Sequence, residues 1–83
     1  MYDYDSLERD LENIFQFLKA TYPDEDLAMV REYIDVGEYG LAYDQMCITI
    51  AQRHTPLPPV LQHMLRSLGT RMKIDPRSWG VHL

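Results

Sequence analysis

The sequence predicts an all-α protein, a compact single-domain bundle of about four helices over residues 1–83 with a short C-terminal tail packing back. Three observations lead there. Apolar residues recur at spacings of three and four in four separate stretches; Pro23, Gly37 and the Thr55-Pro56-Leu57-Pro58-Pro59 run punctuate the joints between them; and no stretch alternates Val, Ile and Thr with polar residues as a strand requires.

The first helix is signalled by Asp5-Ser6-Leu7-Glu8, which reads as a capping box, an acceptor side chain followed three residues later by Glu. Leu7, Leu11, Ile14, Phe15, Leu18 and Tyr22 then form one apolar stripe. Phe17 falls outside that stripe, and is expected to meet the C-terminal tail or, failing that, to stand exposed for a partner. Tyr22-Pro23-Asp24 should end this helix and begin the next, because proline disfavours helical geometry just before itself and is tolerated in a first turn.

Asp24, Glu25 and Asp26 suit the positive end of the second helix dipole, and Leu27, Val30 and Ile34 give that helix a narrow core face. Its opposite side carries Glu25, Ala28, Glu32 and Asp35, with Met29, Tyr33 and Val36 beside them. Gly37 stands where a helix commonly stops, since glycine takes left-handed backbone angles without steric cost. Gly40 is expected to permit a close approach in the first turn of the third helix.

That helix should run from about Glu38 to His54. Tyr39, Tyr43, Met46, Cys47 and Ile50 line one side, Leu41 and Ile48 another, and Glu38, Gln45, Thr49 and Gln52 fill a polar arc. The pattern predicts a central helix with contacts on two sides. After the proline-rich turn, Leu61, Met64, Leu65, Leu68 and Met72 face the core of a fourth helix, with His63, Arg66, Thr70 and Lys73 opposite. Asp75-Pro76 should stop it, and Trp79 should fold back as a hydrophobic cover.

Charge is distributed unevenly around a net value of −5. Residues 1–44 hold twelve of the thirteen acids against three basic residues, a formal charge of −9, whereas residues 45–83 carry +4. All six tyrosines lie in the acidic part. Such asymmetry fits a charged partner as well as a solvated acidic face. The single Cys47 has no intramolecular disulfide partner, no apolar run approaches the roughly 20 residues of a membrane span, and the first ten residues are acidic rather than signal-like. A cytoplasmic protein is expected, without contact with a membrane.

Chemistry is hard to place on this pattern. Cys47 and His54 share a helical side but lie two turns apart, about 10 Å along the axis, too far for direct proton transfer. His54, His63 and His82 lack ligand spacing and there is no second cysteine, so neither a metal nor any other cofactor is expected. Gly37-Glu38-Tyr39-Gly40 is too short and too acidic to cradle phosphate. The chain is therefore not expected to be an enzyme. Arg66, Lys73 and Arg77 offer phosphate contacts, but the acidic half opposes direct nucleic-acid binding. A protein-binding surface remains: acids flanked by apolar and aromatic groups combine steering with desolvated anchors.

The stretch REYIDVGEYGLAYDQMCITIAQRHTPLP, followed by an amphipathic helix and RMKIDPRSW, resembles the small immunity proteins of the MafI type. These accompany polymorphic toxins and contact-dependent growth inhibition systems of Gram-negative bacteria. The resemblance covers roughly residues 30 to 79, and its distinctive part is the Gly-Glu-Tyr-Gly-Leu-Ala string at Gly37 to Ala42. It implies a cytoplasmic protein that binds and neutralises one cognate toxin C-terminal domain, often a nuclease, with an EndoU-like ribonuclease favoured. The expected contact combines Glu25, Glu32, Asp35 and Glu38 as charges with Met29 and Tyr33 as anchors. A monomer is favoured. The alternative is a small antitoxin-like regulator or adaptor that uses the basic fourth helix on nucleic acid or protein.

Overall fold

The computed structural model describes residues 4–53 and 57–74. They form four helices, α1 (Tyr4–Lys19), α2 (Asp24–Asp35), α3 (Tyr39–Arg53) and α4 (Pro59–Arg71), and contain no strand. The all-α bundle predicted from periodicity is what the chain builds. No helix among the described residues is long and apolar enough to cross a membrane.

Each helix buries the stripe that its spacing predicts. Leu7, Leu11, Ile14, Phe15 and Leu18 of α1 meet Leu27, Val30 and Ile34 of α2, with Tyr43, Met46 and Ile50 of α3 and Leu61, Leu65 and Leu68 of α4 completing one core. Burying a side chain of this size contributes about 1.5–3 kcal/mol. Tyr22 is buried as expected, while Tyr33, Tyr39, Met64, Met72 and Ile74 pack against the core edge.

Polar contacts fix the helix order in space. The Tyr43 hydroxyl donates to the Leu65 carbonyl at 2.8 Å, tying α3 to α4 inside the core. Arg71 at the end of α4 reaches back to Asp10 and to the Ser6 Oγ, 2.9 Å away, so α4 finishes beside the start of α1. Arg53 pairs with Asp26 at 2.5 Å and closes the open end of the α2–α3 hairpin.

Two helix ends use the same device. The Gly37 amide bonds to the Ile34 carbonyl and the Glu38 amide to the Tyr33 carbonyl, the paired bonds of a Schellman ending, with Gly37 at φ 79°. At the end of α4 the Lys73 and Ile74 amides bond to the Thr70 and Gly69 carbonyls in the same pattern. There Lys73, at φ 58°, occupies the place usually given to glycine. The helix thus stops before Asp75-Pro76.

Several expectations need correction. Asp5 lies within α1 instead of capping it, and Ser6 accepts from Arg71. An added Cβ at Gly40 would meet nothing within 4 Å, so this glycine makes no close approach. Thr49 is buried, whereas Leu41 and Ile48 are each 47% exposed. Helix α3 therefore covers the side from Ala42 and Thr49 through Met46 to Tyr43, and its second apolar side faces outward. His54, the tail and Trp79 lie outside the described residues.

Candidate functional site

The outward face of the α2–α3 hairpin gathers most of the residues singled out by sequence. Along α2, Glu25, Met29, Glu32 and Val36 follow one another at spacings of four, three and four, which places them on one line of the helix. All four are exposed, Met29 by 49% and Val36 by 66%. Along α3, Leu41, Asp44 and Ile48 repeat the same apolar-acid-apolar order, also exposed. Each helix thus presents two apolar side chains two turns apart with a carboxylate between them. Spacing alone places the apolar members of the α3 triplet on a second packing side, so the triplet carries no signal of a binding surface in the sequence.

The hairpin's two cations are drawn to its edges. Arg31 donates from Nη1 to Glu12 Oε2 at 2.9 Å and from Nη2 to Glu12 Oε1, a two-pronged bridge to α1. Its Nε and Nη2 also donate to Asp35 Oδ1 at 3.1 and 2.7 Å. The guanidinium lies 5.0 Å from the Phe15 ring centroid, so it covers an aromatic face that water would otherwise reach. The hydrogen bond from Arg31 holds the Glu12 carboxyl below its ordinary range, and the same bond raises the Arg31 pKa. Arg53 is likewise raised by its bond to Asp26.

These ion pairs divide the predicted site residues. Glu25, Glu32 and Glu38 stand exposed on the hairpin. Asp35 is exposed but engaged by Arg31, and Tyr33 is half-buried, with one side packed against the core edge. Met29 remains on the surface between Glu25 and Glu32.

A shallow cleft of about 300 Å³ lies at the closed end of the hairpin. It is lined by Tyr4 and Leu7 of α1, Gly37, Glu38, Tyr39 and Gly40 of the joint, and Met72 at the end of α4. The Tyr4 and Tyr39 rings sit 6.3 Å apart at 40°. Partial desolvation raises the Tyr39 hydroxyl pKa, and the carboxylates of Glu8 and Asp5 raise it further. A second hollow, of about 390 Å³, is lined by Asn13, Gln16, Phe17, Ala20 and Met64. Phe17 is 48% exposed there, and the tail expected to meet it lies outside the described residues.

Cys47 behaves as a structural thiol. Burial pushes its pKa up to about 11, only partly opposed by its contact with the Tyr43 hydroxyl. Such a group is protonated at neutral pH and poorly nucleophilic. Among the described residues, no three His, Cys, Asp or Glu side chains gather as a metal site. The chemistry on this surface is that of charged and apolar contact. Compared with known proteins, the chain matches no protein family, no curated protein and no solved structure.

Proposed function

We propose that this chain is an immunity protein that binds and neutralises a cognate bacterial toxin C-terminal domain by stoichiometric contact, without catalysis of its own. The toxin is a nuclease with a basic cleft, an EndoU-like ribonuclease first among the candidates, and the binding occurs over or near that cleft. The reading rests on the resemblance of residues 30 to 79 to MafI-type immunity proteins. One structural observation supports it: on the α2–α3 hairpin both cations are held at the edges, leaving the outward face to Glu25, Glu32, Glu38 and Asp44 around four exposed apolar side chains. Carboxylates steer the chain to a cationic partner, and Met29, Val36, Leu41 and Ile48 supply area to desolvate.

The rival reading is a regulator acting through Arg66 of the basic fourth helix and Lys73 just beyond it; Arg71 of α4 is turned onto Asp10 and Ser6 and adds little to that charge. Co-expression with an EndoU-like ribonuclease toxin domain taken as the cognate candidate tests the proposal. The wild-type chain should restore growth and co-purify one to one, and a Glu25→Lys, Glu32→Lys double variant should lose protection. Both acids are exposed, and Arg31 and Arg53 keep their pairs with Glu12, Asp35 and Asp26 in the double variant, so the fold should survive. Full protection by the double variant would remove this face as the binding surface, and failure of the wild type to bind the domain would remove the reading of immunity against an EndoU-like toxin.

A further inference from the structure

We infer that the cleft between Tyr4, Tyr39 and Glu38 at the closed end of the hairpin is a seat for an arginine side chain presented by a protein partner. The argument begins with what the cleft offers. Two tyrosine rings, tilted by 40° with centroids 6.3 Å apart, form an aromatic corner. Glu38 lies on one wall, and Asp5 and Glu8 are near enough to act electrostatically on the Tyr39 hydroxyl. Leu7 and Met72 supply an apolar floor of the kind a methylene stem packs against. Aromatic faces and carboxylates together select a cation, and a planar guanidinium, weakly hydrated and able to stack, suits this corner better than a compact ammonium.

An anion is the obvious competitor, because α1 and α3 both begin here and helix starts attract negative charge. The opposing ends of α2 and α4 also arrive at this cleft, at Gly37 and Met72, so helix dipoles of both signs meet there. The carboxylates then decide the sign. Arg71, next to Met72, is engaged by Asp10 and Ser6 and does not fill the cleft itself.

The cleft is shallow and open, with about 300 Å³ of space, enough for a guanidinium and its stem. It also adjoins the apolar-acid face of the hairpin, since its joint residues 37–40 are flanked by exposed Val36 and Leu41. A side chain reaching in from a protein that covers that face fits this geometry better than an enclosed metabolite. Gly40 has a role here that its fold does not demand: with nothing within 4 Å of an added Cβ, any side chain at this position would project into free space at the cleft.

The inference stands apart from the immunity reading, because it can be tested without a toxin. The probe is N-acetyl-arginine amide, titrated into the full chain and followed by NMR at the Tyr4 and Tyr39 rings and the Gly40 amide. Saturable shifts with a dissociation constant of about 1–10 mM are expected for a contact of this size. N-acetyl-citrulline amide, the uncharged isostere, should bind at least fivefold more weakly. Gly40→Gln should weaken arginine binding at least fivefold by filling the cleft, and Glu38→Gln about threefold, with helical content unchanged in both. Free L-arginine should bind no more tightly than the capped form, because its α-carboxylate and α-ammonium offset one another before the same acidic groups. Absence of saturation, equal binding of citrulline, or undiminished binding by folded Gly40→Gln would overturn the inference. Tighter binding of free arginine would instead identify a small-molecule site and overturn the assignment to a protein partner.

Discussion

The Tyr43 hydroxyl donates to the Leu65 carbonyl across the core, 2.8 Å from α3 to α4, with the tyrosine fully buried. Burial is the main cause that raises the pKa of this phenol, so it remains a donor through the neutral range. Tyr43→Phe keeps the ring and removes only the oxygen. The variant should retain the fold and lose about 1 kcal/mol, since the Leu65 carbonyl sits inside a helix and keeps its place in the helical ladder. Urea unfolding with an unchanged slope and a lower midpoint would show this.

Gly37 and Gly40 should respond in opposite directions to the same substitution. Gly37 holds φ 79° at the end of α2, so Gly37→Ala should cost about 1 kcal/mol. Gly40 lies within α3 with open space at its missing Cβ, so Gly40→Ala should add about 0.4–1 kcal/mol. Melting temperatures should move apart accordingly, by about 4–8 °C for each kcal/mol. Movement of both in one direction would refute the assignment.

Lys73 occupies a left-handed position without glycine's freedom. Lys73→Gly should therefore stabilise the chain by about 0.5–1 kcal/mol, the relieved strain exceeding glycine's greater freedom in the unfolded chain. The measurement is the urea midpoint against wild type, with Lys73→Ala as a control that should give no such gain.

Cys47 makes stability depend on alkaline pH. Its folded pKa is raised to about 11, above the ordinary thiol value near 8.5. Protons are therefore held more tightly by the folded chain, and the stabilisation is fully present below about pH 8.5 and lost as pH rises through 11. A loss on the order of 3 kcal/mol is expected across that window. Cys47→Ala should flatten the slope up to about pH 10, where tyrosines begin to titrate in the unfolded chain. Stability measured at half-unit pH intervals in both proteins checks this, as does slow reaction of the native thiol with a disulfide reagent.

The four stripes were legible because helical spacing alone states which side chains share a face. Spacing does not state which face a neighbour covers. Helix α3 carries apolar residues on two sides, and only packing decides that Ala42 and Thr49 turn inward while Leu41 and Ile48 remain outside. The carboxylate line on α2 was readable from the same spacing, but Asp35 could not be recognised as the partner of Arg31 while Glu12, nineteen residues away, was unplaced. Gly37 announced its helix end by its residue type; Lys73 gave no such signal. The cleft leaves no mark in the sequence for a similar reason, since Tyr4 and Met72 come together only when the first and last helices meet.

The pairing of Arg31 with Glu12 and of Arg53 with Asp26 at the edges leaves the hairpin's outward face with one sign of charge, and this bears on how the chain treats its own copies. Four exposed apolar side chains invite association. Two identical faces brought together would oppose carboxylate to carboxylate, without the arginines that two-fold pairing needs for compensation. The same residues thus discourage self-pairing while remaining open to an oppositely charged surface. Solitude at low salt, easing toward weak self-association as screening increases, is the expected behaviour of such a face.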